Sequence, residues 1–130
     1  MKFICMGCVA PGTFESMSEG DFLAGVDACF DYDDQLRANG HFAAGHGLQP
    51  PASAKTLTWK EGQVVVTDGP FAETKEHIGG LLILEARDLD HAVELISRHP
   101  GLQFGPWEIR PAADLDEMIR QSEIRRGKRA

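Results

Sequence analysis

The run Gly80-Leu81-Leu82-Ile83-Leu84-Glu85-Ala86 constrains the fold more than any other stretch. Side chains on a strand alternate between two faces. A strand apolar nearly throughout is therefore one covered on both sides, in the middle of a sheet. The segments around it supply that sheet. Residues 2–9 (KFICMGCV) read as a short, largely buried strand, and residues 41–48 (HFAAGHGL) as another, ended by Pro50-Pro51. Residues 55–60 and 63–68 flank Glu61-Gly62, two extended runs separated by two turn residues, which predicts a hairpin. In that register Trp59 faces Val64 and Leu57 faces Val66, so one face of the hairpin is apolar. Residues 104–110, interrupted by Pro106, read as an edge strand.

Three helices complete the pattern. Ser18-x-x-Asp21 resembles a capping box and predicts a helix to about Ala38, stopped by Asn39-Gly40. Asp88 caps a second helix over 89–99, with Leu89, Ala92, Val93 and Ile96 on one face, and Pro100 ends it. Residues 112–125 read as a short terminal helix followed by a basic tail. The order β-α-β, hairpin, β-α-β, helix predicts an α+β fold of ferredoxin-like type, with helices on one face of an antiparallel sheet and the hairpin inserted. No element is left over for the other face. A second copy of the chain is its natural cover, and a homodimer is expected.

At 130 residues the chain fits one domain, spanning 1–130. It contains no apolar run long enough to cross a membrane. Met1-Lys2-Phe3-Ile4-Cys5 lacks the length of a signal peptide, so a cytoplasmic protein is expected. The net charge of −7 opposes the phosphate backbone of nucleic acid. The distribution is uneven: the last 13 residues carry +4 and the first 117 carry −11. The basic end is a solvated terminus, or a contact for RNA or an acidic partner. Three cysteines, with a lone Cys5-x-x-Cys8, predict neither a disulfide framework nor a zinc site. No metal site and no cofactor are expected, since phosphate-loop, dinucleotide and metal-ligand patterns are absent from the sequence.

Three places could carry chemistry. On the first helix, Phe22, Val26, Cys29, Phe30 and Leu36 form an apolar stripe, and Asp33 falls about 20° from its reference residue Phe22 at the helical repeat. A carboxylate there must be paired, overlook a wet cleft, or lie beyond the end of the stripe in solvent. Asp68-Gly69-Pro70-Phe71 is turn chemistry. It either staples a strand end or aims the Asp68 carboxylate into a ligand site, with Gly69, Pro70 and Phe71 beside it. His46 sits between Gly45 and Gly47, where a small ligand could approach the backbone. With a carboxylate it would make the best acid–base pair available. His91 and His99 are expected to be exposed or capping.

The run Val66-Thr67-Asp68-Gly69-Pro70-Phe71-Ala72-Glu73-Thr74-Lys75-Glu76 closely resembles the signature of the DGPF family, a branch of the YCII-related proteins. So do Leu36-Arg37-Ala38-Asn39-Gly40, Gly47-Leu48-Gln49-Pro50-Pro51, Gly79-Gly80 and Glu108-Ile109-Arg110-Pro111, in the same order along almost the whole chain. The resemblance implies a ferredoxin-like fold that pairs into a dimeric α/β barrel, with a cleft lined by the sheet. Certain YCII relatives are proposed to use a His–Asp pair with the His on the first helix. The helix 19–38 here contains no His. Asp68 carries over by motif, while His46 and Asp33 are read from position alone.

Two functions follow as expectations. One is a small-molecule enzyme or binding protein with its site in the dimer's cleft, near Asp68 and with His46 or Asp33 at hand. The other is a regulatory module that binds a protein partner, in line with the resemblance to proteins that accompany extracytoplasmic-function sigma factors.

Overall fold

The computed structural model describes residues 1–70 and 76–128. A four-stranded antiparallel sheet is built from β1 (Lys2–Val9), β2 (Phe42–Gly47), β5 (His77–Glu85) and β6 (Trp107–Pro111), in the order β2-β5-β1-β6. The strands β3 (Lys55–Lys60) and β4 (Gln63–Asp68) form a separate hairpin. Helix α1 (Glu19–Ala38) joins β1 to β2, α2 (Leu89–Ile96) leads from β5 towards β6, and α3 (Leu115–Arg125) follows β6. This is the ferredoxin-like α+β arrangement with an inserted hairpin. As expected, β5 is a central strand and β6 an edge.

Local chemistry sets the boundaries. Ser18 Oγ accepts from the Asp21 backbone N–H at 3.1 Å, so the anticipated cap starts α1. Asp88 and Asp114 cap α2 and α3 in the same way, from His91 N–H and Glu117 N–H. Glu61 and Gly62 both have positive φ, 52° and 81°, the geometry of the tight turn whose twist matches a hairpin. The pairs Leu57–Val66 and Trp59–Val64 form in the expected register.

Several boundaries differ from the sequence reading, β6 beginning at Trp107 rather than 104 and α3 at Leu115 rather than 112. β5 begins at His77 rather than Gly80, because Ile78 and His77 extend the ladder against Cys8 and Val9 beyond a bulge at Gly7/Cys8. α2 stops at Ile96 rather than 99. Ser97 closes it, and Pro100–Gln103 form a separate 3-10 turn with Pro at its first position.

The core lies between the sheet and the helices. Phe3, Cys5, Leu82 and Leu84 from β1 and β5 meet Leu36 of α1 and Ala92 and Ile96 of α2, all nearly inaccessible. Truncating a buried side chain such as Leu84 to Ala would cost about 2–5 kcal/mol. The opposite sheet face carries Ile4, Met6, Leu81 and Ile83, half-buried. The apolar face of the hairpin lies in solvent, with Trp59 74% and Leu57 65% exposed.

Candidate functional site

The sheet register places glycines in a transverse row. Gly47 pairs with Gly80, Gly80 with Gly7, and Gly7 with Trp107. Strand alternation puts this row on the face that carries Phe3, Cys5, Leu82 and Leu84, beneath α1. Three adjacent strands therefore offer bare backbone at one level, and a cleft of about 480 Å³ opens between α1 and the sheet. The volume is that of an ordinary small-molecule site. Gly47 has nothing within 4 Å of the place a Cβ would occupy, so there the floor faces open space. Gly7 is covered differently: a Cβ on it would stand 2.8 Å from the Trp107 ring, which lies over it as one wall. Phe14, Phe30 and Phe104 add apolar surface, and Arg37 stacks on Phe42 at 4.3 Å at the rim while pairing with Asp34 at 2.7 Å.

Asp33 enters this cleft from α1. Its Oδ1 lies 2.9 Å from Nε2 of His99, whose side chain is 4% exposed against 20% for Asp33. The ring's tautomer follows from its other nitrogen. The Gly101 backbone N–H donates to Nδ1 at 2.9 Å, so Nδ1 carries the lone pair. The proton then sits on Nε2 and is donated to Asp33. The imidazole is held from the sides by Tyr32, edge-on at 5.4 Å, and by Trp107, tilted at 4.7 Å. Tyr32 O–H is in turn bonded to the Leu95 carbonyl. A Cβ on Gly101 would meet both His99 Nδ1 and Trp107 at 2.9 Å, so only glycine allows this packing.

The electrostatics are those of a partly dry cleft with a fixed negative group. Burial pushes the Cys29 thiol above its ordinary value, and the Asp33 carboxylate pushes it further. The Tyr32 hydroxyl is likewise raised by burial. Because both nitrogens of His99 are engaged, the imidazole has no free lone pair for a ligand. Of the pair, Asp33 is the member with an oxygen left over, and His99 holds it in place.

The other residues singled out in the sequence fall elsewhere. His46 borders the cleft, but it registers with Leu81 on the opposite face from Gly45 and Gly47, and the cleft carboxylate Asp33 is bonded to His99. Asp68 stands at the end of β4, 84% exposed, and pairs with Lys55 across the hairpin. Gly69 has φ 89°, donates to the Ala54 carbonyl at 2.8 Å and accepts from Thr56 Oγ1 at 2.7 Å, which ties the end of β4 to β3. Asp68, Gly69 and Pro70 do not line the cleft. Phe71 lies outside the described residues.

His99 corrects the sequence reading most. It was expected to be exposed or capping. It does cap the 3-10 turn, yet it is buried, because the chain reverses at Pro100-Gly101 and carries the ring under α1. The signal was the dipeptide His99-Pro100 itself: Pro at the first position of a new turn makes the preceding residue a cap. Cys5, Cys8 and Cys29 are free thiols, as expected. Among the described residues no three His, Cys, Asp or Glu side chains come together as a metal set, and no helix is long and apolar enough to cross a membrane.

Known proteins share this architecture. A crystal structure of 5-chloro-2-hydroxyhydroquinone dehydrochlorinase from Burkholderia phenoliruptrix AC1100, in complex with 2,5-dihydroxybenzoquinone, superimposes with a TM-score of 0.52 at 18% identity, covering 87% of this chain and 94% of that one. An uncharacterised protein of Rhizobium meliloti (strain 1021) is 39% identical over 70 residues, 51% of this chain. The chain spans about half that relative's length, 55%. The model of the YCII-related domain matches residues 1–116. With that match over most of its length, the chain belongs to the YCII-related family.

Proposed function

We propose that the protein is a small-molecule enzyme in which Asp33 moves a proton to or from a ligand held on the glycine floor. The observation that carries this reading is the Asp33–His99 pair in the cleft wall. A carboxylate whose second oxygen is free for a ligand, and whose orientation is fixed by a buried donor, is the arrangement general acid–base catalysis needs. An open glycine floor around Gly47, beside the aromatic walls of Phe14, Phe30, Phe104 and Trp107, suits a planar ring. The dehydrochlorinase with the same fold binds such a ring, which supports a hydroxylated quinone or phenol as the first ligand to try.

Pairing of two chains over the open sheet face of Ile4, Met6 and Ile83 into an α/β barrel is the association that the DGPF resemblance implies. The Asp33 cleft is formed within one chain and does not require it.

The test is deuterium incorporation from D2O into the ring C–H positions of 2,5-dihydroxybenzoquinone, followed by proton NMR. The native protein should accelerate exchange, and Asp33→Asn should slow it by about 10²-fold or more, the usual contribution of a positioned acid or base. Equal exchange with both proteins would remove Asp33 from the chemistry.

A further inference from the structure

The cleft has a second polar end. The sheet runs β2-β5-β1-β6, and His99 holds Asp33 from the β6 edge, where Trp107 packs on the imidazole. Towards β2 the ring of Phe42 lies over the floor, since a Cβ on Gly45 would stand 2.7 Å from it. The Arg37 guanidinium stacks on that ring at 4.3 Å. Between the two ends the floor is open at Gly47. Arg37 follows Asp33 on α1 by one turn, about 6 Å along the axis, so the two share a helix face. Among the described residues that line the cleft, Arg37 is the one Lys or Arg. Its Nη1 donates to Asp34 Oδ1 at 2.7 Å, while Nε and Nη2 have no partner among the described residues.

We infer that Arg37 is the ligand's second anchor. It holds an ionised oxygen on the side of the ring away from Asp33, and so selects hydroxylated quinones and phenols able to carry negative charge there. This assignment rests on the reading of the cleft as the site of a planar ring. The proton transfer supplies its chemistry. When Asp33 takes a proton from the ring, the electron pair of the broken C–H or O–H bond stays on the ring and conjugates onto the opposite oxygen. The proton rests on the Asp33 carboxyl and returns from it. Negative charge left without a partner in a partly dry cleft, beside carboxylates, is costly. Arg37 offsets it with N–H donors set in one planar fork. Stacking on Phe42 occupies a face of the guanidinium and leaves its edge for the ligand. The competing hold of Asp34 is weak, because that pair is exposed, 54% for Arg37 and 74% for Asp34, and water screens it.

Calorimetric titration of the full chain with two quinones tests this. One is 2,5-dihydroxybenzoquinone; the other is 2,5-dimethoxy-1,4-benzoquinone, the same ring with its ionisable oxygens methylated. The native protein should prefer the dihydroxy ring by about 10-fold or more, the scale of a hydrogen bond between charged groups. Added salt should reduce that preference. Arg37→Gln should abolish it while leaving the affinity for the dimethoxy ring unchanged, which a merely structural role would not do. Arg37→Lys keeps the charge without the fork and should restore part of it. Asp34→Asn releases Nη1 and should tighten the dihydroxy ring by about 2-fold. A preference that survives Arg37→Gln, or a native protein that binds neither quinone, would overturn the assignment. If Arg37→Gln abolishes the preference and Asp33→Asn leaves deuterium incorporation unaltered, the acid–base reading falls alone. If Asp33→Asn slows exchange and the preference survives Arg37→Gln, the anchor falls alone.

Discussion

His99 donates from Nε2 to Asp33 Oδ1 across 2.9 Å, joining residues 66 apart in sequence. Only Asp33 stands out in its own segment, as an acid on an apolar helix stripe. The pair exists because α1 runs over the sheet and the Pro100–Gln103 turn brings the ring back beneath it. The consequence is a division of labour: the carboxylate faces the cleft, and the imidazole is locked by Gly101 N–H.

That lock fixes a tautomer that can be read directly. In nitrogen-15 NMR at neutral pH, His99 Nδ1 should resonate as an unprotonated, pyridine-like nitrogen and Nε2 as a protonated one. Finding the proton on Nδ1 would reverse the donor and acceptor roles assigned to Asp33 and His99. Removing the ring as His99→Phe keeps the aromatic volume against Tyr32 and Trp107 but strands the Asp33 carboxylate. A loss of about 1–3 kcal/mol in urea unfolding is expected from a half-buried polar group left without its partner. No loss would mean that Asp33 finds water at no cost.

The glycine row makes opposite predictions at two of its positions. Gly47→Leu extends into space where nothing stands within 4 Å, so its stability should stay within about 0.5 kcal/mol of native, as at an unconstrained site. Ligand binding should be lost, because the leucine occupies the floor. Gly7→Ala drives a methyl to 2.8 Å from Trp107 and should destabilise by about 1–3 kcal/mol through overpacking. Thermal unfolding separates the two. A cleft irrelevant to binding would leave the affinity of Gly47→Leu for 2,5-dihydroxybenzoquinone unchanged.

Cysteine reactivity should follow burial. Desolvation pushes the Cys5 thiol up to about 11, so at pH 8 roughly one molecule in a thousand carries its thiolate. Cys8 and Cys29 are raised as well, both by burial first, then Cys8 by Glu76 and Glu108 and Cys29 by Asp33. Maleimide should therefore label the folded protein slowly at pH 7 and leave Cys5 untouched, while urea releases all three. Rapid labelling of Cys5 in the folded state would contradict its place in the core.

The strands were legible because their information is local. The short apolar run of Lys2–Val9 and the Glu61-Gly62 turn specify their own geometry within a few residues. Asp33 was half-legible: its position on an apolar stripe required a partner, a wet cleft or an early end to the stripe, and the fold supplies the first two. His99 was not, since its burial depends on a chain reversal that brings it under a helix far upstream. The glycine row was also hidden. Gly47 read as a place where a ligand could approach the backbone, Gly80 as the opening of a strand and Gly7 as part of one, and only the interstrand register aligns them. The Asp68 turn was conspicuous as a motif, yet what it does in the chain is close the hairpin end through Lys55 and Thr56.

The last prediction concerns the acid side of the stability curve. Glu85 ends β5 and accepts from Lys2 Nζ at 2.7 Å, with the N-terminal ammonium 3.5 Å away, tying the start of β1 to its neighbour. The Lys2 hydrogen bond, more than any other influence, holds the Glu85 carboxyl below its ordinary 4.5. A carboxyl that ionises more readily in the folded state binds fewer protons there than in the unfolded chain, so folding gains from its charge. That gain is fully present above pH 4.5 and is lost as pH falls through the folded value. Glu85→Gln should therefore be less stable than native at pH 7, with the gap closing as the pH drops below 4.5, and added salt should narrow it because the pair is exposed. The measurement is the midpoint of urea unfolding for both proteins across pH 3 to 7. A gap that stayed constant with pH would show that Glu85 acts through packing and not through its charge.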